Sequence, residues 1–290
     1  MFKFWKRSKK SNDNEPVRRQ ELSERAGYDV IASLQTDVGC VREVNEDSGK
    51  FVEPKDASLK ANKGLLLIVA DGMGGHSAGE VASRLAVDVI SRAYYEDRND
   101  PQAALKNAFQ KANRSIYEAS KKDESLKGMG TTCTALVLQN GSALSAHVGD
   151  SRLYLVRDGQ IYLMTEDHSA VMEMVKHGLL TLEEARHHPD KNVILRAMGS
   201  NAEVEIATWQ QPFPVQEGDR FLICSDALYD LVEDDEIKRA VTEGDPDSAC
   251  KNLVALARER GGHDNITVGI LSLRGIDKPV PETRELEVQI

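Results

Sequence analysis

Apolar residues are spaced along this chain in two rhythms. Short runs rich in apolar and β-branched residues fall at 28–36, 65–70, 204–208, 220–224 and 266–273, and their length and composition predict strands. Between them lie stretches with the period of a helix. Ala104, Leu105, Ala108, Ala112 and Ile116 share one face of a helix predicted over 101–119, with Asp100 placed to cap it and Pro101 suited to its first position. Further helices are predicted over 79–95, 234–241 and 247–260. In residues 131–165 the apolar runs are separated by Asn140-Gly141, Gly149-Asp150-Ser151 and Asp158-Gly159. Asn-Gly and Asp-Gly are strong hairpin signals, so this stretch predicts an antiparallel meander and argues against parallel βαβ units. Residues 166–202 lose the pattern, with short helices around 171–177 and 181–186, and read as a surface excursion. The pattern as a whole predicts an α+β layered domain with sheets at its centre.

Composition changes this picture little. The chain has 290 residues, 40% of them hydrophobic, enough for a proper core. The apolar run at 65–70 is far short of the roughly 20 residues that span a bilayer, and no signal-peptide pattern follows Met1, so a cytoplasmic protein is expected. Cys40, Cys133, Cys224 and Cys250 show no C-x-x-C spacing and read as buried reduced thiols. The net charge of −10 is uneven: residues 1–20 carry seven Lys or Arg against Asp13 and Glu15, or +5, which leaves −15 on the rest. An acidic body argues against nucleic acid as the principal partner and suits a site that gathers cations. Residues 1–26 read as a basic disordered tail, in which Phe2, Phe4 and Trp5 ahead of Lys6, Arg7, Lys9 and Lys10 could give a weak membrane or partner tether. Residues 275–290 read as a loose C-terminal tail.

The chemistry is carried by four aspartates at the ends of apolar runs: Asp71, Asp150, Asp226 and Asp264. Carboxylates at strand ends let a rigid sheet aim several oxygens at one spot. Asn45-Glu46-Asp47, with Arg42 upstream, adds an acidic pair and a guanidinium able to grip a phosphate. In Asp71-Gly72-Met73-Gly74-Gly75-His76 the glycines suit either a phosphate at a helix N-terminus or a backbone carbonyl turned toward a metal, but they do not complete the dinucleotide pattern G-x-G-x-x-G. A carboxylate set without thiols favours Mg²⁺ or Mn²⁺ over Zn²⁺, and two such ions can activate a water for in-line attack on phosphorus. No cysteine is followed six positions on by arginine, and no P-loop lysine motif is present, which disfavours thiol-nucleophile phosphatases and nucleotide-driven kinases.

These motifs together resemble the metal-dependent protein phosphatases of the protein phosphatase 2C type, in their bacterial form. The resemblance runs from about residue 28 to 273 through Gly39-Cys40-Val41-Arg42, Asn45-Glu46-Asp47, Asp71 to His76 with Gly79-Glu80, Gly130-Thr131-Thr132, Gly149-Asp150-Ser151-Arg152, Ser225-Asp226 and Asp264-Asn265, in family order. It implies a four-layer αββα sandwich, two antiparallel sheets flanked by helices, as one catalytic domain over 27–274 with a flap at 166–202. It also implies a centre of two Mn²⁺ or Mg²⁺ ions: Asp71 bridging both, Asp226 and Asp264 on one, Glu46 and the Gly72 carbonyl on the other, Asp47 steadying water, Arg42 on the substrate phosphate. Asp150 with Asp226 would form a weaker third site. The implied activity is hydrolysis of phosphoserine and phosphothreonine in proteins by a monomeric enzyme opposing a Ser/Thr kinase.

Three departures bear on this. Ala227 stands where the family has glycine after Ser-Asp, which would strain the backbone if that position has positive φ. Met73 stands where animal members have a histidine proposed as proton donor, leaving the general acid unassigned; His76 is expected to stabilise its loop. His263, ahead of Asp264, is expected to be a solvated loop histidine. A catalytically silent binding protein on the same scaffold and a small-molecule phosphohydrolase are the alternative readings.

Overall fold

The structure is a computed structural model that describes residues 28–74 and 78–275. In chain order its strands are β1 (Tyr28–Asp37), β2 (Asp47–Val52), β3 (Leu65–Met73), β4 (Gly130–Thr131), β5 (Cys133–Gln139), β6 (Ser142–Val148), β7 (Arg152–Arg157), β8 (Gln160–Leu163), β9 (Ala207–Thr208), β10 (Phe213–Pro214), β11 (Arg220–Cys224) and β12 (Ile266–Gly275). The helices are α1 (Ala57–Lys63), α2 (Ala78–Glu96), α3 (Pro101–Lys122), α4 (Ala170–Lys176), α5 (Leu182–Arg186), α6 (Asp226–Leu231), α7 (Asp234–Glu243) and α8 (Pro246–Glu259). One sheet has the order β1-β12-β11-β7-β8; the other runs β10-β6-β5-β3-β2, with β4 paired to β3 and β9 to β6. The pairings are antiparallel, as between Asp47 and Asp71 on β2 and β3.

Why four layers form can be read from β3. Its side chains alternate between faces: Leu66, Ile68 and Ala70 pack with Ala82, Ile90, Leu105 and Phe109 of α2 and α3, while Leu67 and Val69 pack with Leu153, Phe221 and Ile223 of the other sheet. β11 does the same from the opposite side, with Leu222 and Cys224 turned to α6, α7 and α8. Three apolar seams between four layers make the α+β αββα sandwich. Asp100 caps α3 by accepting from Ala103 N at 3.0 Å, as the sequence predicts. No described helix is long and apolar enough to cross a membrane.

Several expectations need correction. Asn140-Gly141 and Asp158-Gly159 do turn hairpins, each with both residues at positive φ (48° and 74°, 51° and 72°). Gly149-Asp150-Ser151 does not: it carries the chain from β6 in one sheet to β7 in the other. Gly149 has φ 108°, and a Cβ there would lie 2.5 Å from Thr132 Cβ, so the crossing is a close passage of two segments. The stretch 166–202 is not simply superficial, because Asp167, His168, Ser169, Ala197 and Met198 at its two ends are buried. The strand expected at 204–208 shrinks to β9, which pairs with Ala146 and His147 of β6. Cys133, Cys224 and Cys250 are buried thiols, but Cys40 is exposed. The basic tail, His76 and residues 276–290 lie outside the described residues.

Candidate metal centre

Asp71 lies near the end of β3, directly opposite Asp47 of β2. Its backbone is fixed on both sides. Its N–H donates to Thr132 Oγ1 at 3.0 Å, and its carbonyl accepts from Thr132 N and Thr131 Oγ1, each at 2.8 Å. Gly72 follows and donates to the Glu46 carbonyl at 3.1 Å. A Cβ at Gly72 would collide with the carbonyls of Gly79 and Glu46, so only glycine lets the Asp71 turn, the Glu46 loop and the start of α2 close together.

The second sheet delivers Asp226 and Asp264 to the same end of the sandwich. Ser225, following β11, donates to Asp47 Oδ2 at 2.8 Å and accepts from Thr267 N at 2.9 Å, which ties the two sheets together beneath the site. Asp226 opens α6. Asn265, ahead of β12, accepts from Glu46 N at 2.8 Å and donates to the carbonyls of Val38 and Val44 at 2.9 and 3.0 Å. One side chain therefore holds both ends of the loop carrying Arg42. At the rim, Arg42 Nη2 donates to Asp264 Oδ2 at 2.7 Å.

Asp150 sits at the crossing between sheets. Its carbonyl accepts from Tyr229 OH at 3.1 Å, and the Arg152 guanidinium lies 3.7 Å from the Tyr229 ring centroid while pairing with Asp167 at 2.7 Å. His168 accepts from Gly149 N at 3.0 Å, and His147 shares a 2.8 Å bond with Thr134. Burial holds both imidazoles neutral, His147 at about 4 and His168 at about 3.

Electrostatics show what this assembly lacks. Burial first, then the neighbouring carboxylates Asp47, Asp226, Asp150 and Asp264, pushes Asp71 well above the usual carboxylate range. Asp226 is raised in the same way, by burial and then Asp150, Asp230, Asp264 and Asp47. Asp47 and Asp150 are raised chiefly by burial, and Glu46 is raised by burial against the opposing pull of Arg42. Glu46 Oε1, Asp47 Oδ1 and Asp150 Oδ1 are buried without a hydrogen-bond partner. Buried carboxylates normally have donors or a cation, and a like-charged pair across a ladder is unfavourable. Among the described residues no three His, Cys, Asp or Glu side chains are gathered closely enough to enclose an ion on their own. An all-oxygen set of this kind, left to be completed by water and substrate oxygens, fits a hard divalent cation.

The structure thus brings Glu46, Asp47, Asp71, Gly72, Asp150, Asp226 and Asp264 to one end of the sandwich, with Arg42 at its edge. Ala227 lies inside α6, buried, and is not among the positive-φ residues, so the feared strain is absent. His263 is half-exposed, its Nε2 3.9 Å from Asp230 Oδ2. Sequence reasoning overlooked Asp230, one helical turn after Asp226. It also left Ser225, Asn265 and Thr132 as motif letters without roles. The four-residue spacing of Asp226 and Asp230 would have marked Asp230 had α6 been expected.

Comparison with known proteins bears on this arrangement. The model of the protein phosphatase 2C family matches residues 43–253. A serine/threonine phosphatase, stp, of Listeria monocytogenes is 38% identical over 248 residues, covering 82% of this chain and 93% of its own. The crystal structure of the Mycobacterium tuberculosis serine/threonine phosphatase PstP/Ppp superposes with a TM-score of 0.75 at 36% identity, covering 84% of this chain and 99% of that one. The catalytic domain of PstP in complex with two manganese ions gives a TM-score of 0.71 at 34% identity, covering 84% and 98%. Family model, sequence and sandwich agree: the chain belongs to the protein phosphatase 2C family of metal-dependent hydrolases and is a serine/threonine phosphatase.

Proposed function

We propose that the chain removes phosphate from phosphoserine and phosphothreonine of proteins with two Mn²⁺ or Mg²⁺ ions held by Asp71, Asp226, Asp264, Glu46 and the Gly72 carbonyl. The observation that carries this reading is the set of buried carboxylates with unpartnered oxygens, whose mutual repulsion calls for cations. Asp71, raised by burial and by the carboxylates Asp47, Asp226, Asp150 and Asp264 around it, would be a ligand shared by the ions. Asp226 and Asp264 would help hold one ion, and Glu46 and the Gly72 carbonyl the other. Asp150 with Asp226 would hold an ion at a weaker third position.

The bound ions supply a water ionised at neutral pH and positive charge against the phosphoryl oxygens. The chain's own groups do the rest. Asp47 is anchored through Oδ2 by Ser225, and its Oδ1, buried without a hydrogen-bond partner, would accept from the attacking water. Arg42 holds the phosphate; its guanidinium is half-exposed and reaches Asp264 through Nη2, which leaves further N–H groups for substrate. Asn265 fixes the loop that aims it. The hydrolysis runs in one step without a phosphoenzyme, and Cys133 and Cys224, buried and held as thiols by that burial, offer no thiolate nucleophile. The opposing enzyme is a Ser/Thr kinase acting on the same substrates. The test is phosphate release from a phosphothreonine peptide in EDTA, Mg²⁺ or Mn²⁺, alongside Asp226→Asn. Metal-dependent release that disappears in the variant supports the assignment; a folded protein inactive with every metal refutes it and favours a silent binding scaffold.

A further inference from the structure

Asp230, like Asp264 at the rim, is a carboxylate of this face already matched by a cation from the protein, and it is the more deeply buried of the two. It lies one turn beyond Asp226 on α6, with its side chain 6% exposed. Lys191, from the loop after α5, places Nζ 2.5 Å from Asp230 Oδ2, and His263 Nε2 stands 3.9 Å from the same oxygen. Asp230 is near enough to act on both Asp150 and Asp226, and Asp150 keeps a buried oxygen without a partner. A lysine ammonium thus occupies a carboxylate at the border of the third cation position.

The same segment has a second anchor of another kind. Arg186 donates to the Tyr229 carbonyl at 2.7 Å and the Val232 carbonyl at 3.4 Å, and its other nitrogen pairs with Glu233 at 3.1 Å. The carbonyls belong to the C-terminal end of α6, where a guanidinium satisfies orphan acceptors that no ion at the aspartate face would contest. The Lys191 tie is contestable, because a divalent ion beside Asp230 attracts the same oxygen and repels the ammonium.

We propose that Lys191 is a built-in competitor for the third cation position, so that ion binding beside Asp150, Asp226 and Asp230 and detachment of the loop at 187–194 from α6 are one equilibrium. This inference rests on the metal-centre reading above. It makes Lys191 a positioning residue that keeps the loop seated when cations are scarce and lowers the affinity of the last ion to bind. Linkage makes the coupling reciprocal: whatever detaches the loop must tighten that ion by the same factor.

The test is Mn²⁺ titration calorimetry on the full chain and its Lys191→Met and Lys191→Arg variants, with amide hydrogen exchange of 187–194 with and without Mn²⁺. Lys191→Met is expected to bind its weakest Mn²⁺ about tenfold more tightly. Saturating Mn²⁺ should accelerate exchange of the loop in the wild type and leave it unchanged in Lys191→Met, where it is already fast. Lys191→Arg, which keeps the charge, should behave as the wild type; this and an unchanged circular dichroism spectrum separate the effect from misfolding. An unaltered weakest affinity in Lys191→Met, or loop exchange in the wild type that ignores Mn²⁺, would overturn the proposal and leave the two-ion reading intact. A wild type that binds no Mn²⁺ at all would remove both.

Discussion

Arg42 and Asp264, 222 positions apart in the chain, are joined by a 2.7 Å hydrogen bond at the rim of the carboxylate cluster. One is the proposed phosphate ligand and the other a proposed metal ligand, so each partly neutralises the other before either meets its target. Both are substantially exposed, with side chains 49% and 30% accessible, and the pair can therefore exchange partners at little cost.

Replacing Arg42 should separate these two effects. Arg42→Ala is expected to raise KM for a phosphothreonine peptide by about 10- to 100-fold, the loss of a charge-assisted hydrogen bond, while Mn²⁺ affinity holds or rises because Asp264 is freed. Arg42→Lys should fall between, since an ammonium lacks the planar fork. Steady-state kinetics with calorimetric Mn²⁺ titration checks both. A fall in Mn²⁺ affinity would mean that Arg42 orders Asp264 for the metal rather than competing for it.

Ser225 joins the two sheets through a single hydroxyl that donates to Asp47 and accepts from Thr267 N. Ser225→Ala would strip Asp47 of this donor, when its other oxygen already has none, and would orphan a buried N–H. A destabilisation of about 2–3 kcal/mol is expected from the unsatisfied groups, read as a lower urea midpoint at unchanged slope. Turnover should fall as well, because Asp47 loses its anchor; full activity would show that Asp47 is held by other means.

Ala227 is the departure from the family pattern that could have signalled a silent scaffold. Within α6, at helical φ and fully buried, alanine is a better residue than glycine. Ala227→Gly is expected to lower stability by about 1 kcal/mol and to bring no gain in kcat. Thermal unfolding and phosphopeptide turnover decide this. A rise in activity with glycine would show that the methyl group does displace Asp226.

What the sequence made legible, and what it hid, follows from the range of the interactions. β3, β11 and β12 were readable because both faces are buried, so composition alone marks them. β2, with the sequence Asp-Ser-Gly-Lys-Phe-Val, is a largely polar edge strand that shows itself only through its ladder with β3. α6 is six residues long and separated from β11 by Ser225 alone, too short for a period to emerge. The aspartates stood out by their place at the ends of apolar runs, and their family order supplied roles. Asn265, Ser225 and the Lys191–Asp230 pair act on residues 39 to 219 positions away, and nothing in local sequence announces such partners. Gly149 was misread because a crossing between sheets and a hairpin both ask for glycine; only the positive φ at both turn residues of the true hairpins tells them apart.

Asp71 gives the sharpest test, because it should serve function at the cost of the metal-free fold. Its carboxyl is pushed up by burial and then by four neighbouring acids, so folding favours its protonated form. The associated penalty is absent below the ordinary carboxylate value near 4 and grows as pH rises from there to the raised value, being fully present above it. Without metal, Asp71→Asn should therefore be more stable than the wild type at neutral pH, by on the order of 2 kcal/mol, and the difference should shrink toward pH 4. Saturating Mn²⁺ should reverse the order, since ions that bind only the native wild type stabilise it by mass action and the variant has lost a proposed metal ligand. Urea unfolding in EDTA at several pH values, repeated in Mn²⁺, measures each part. A variant less stable than the wild type in EDTA would mean that Asp71 is satisfied by the protein itself, and the inference from carboxylate repulsion to cations would fail with it.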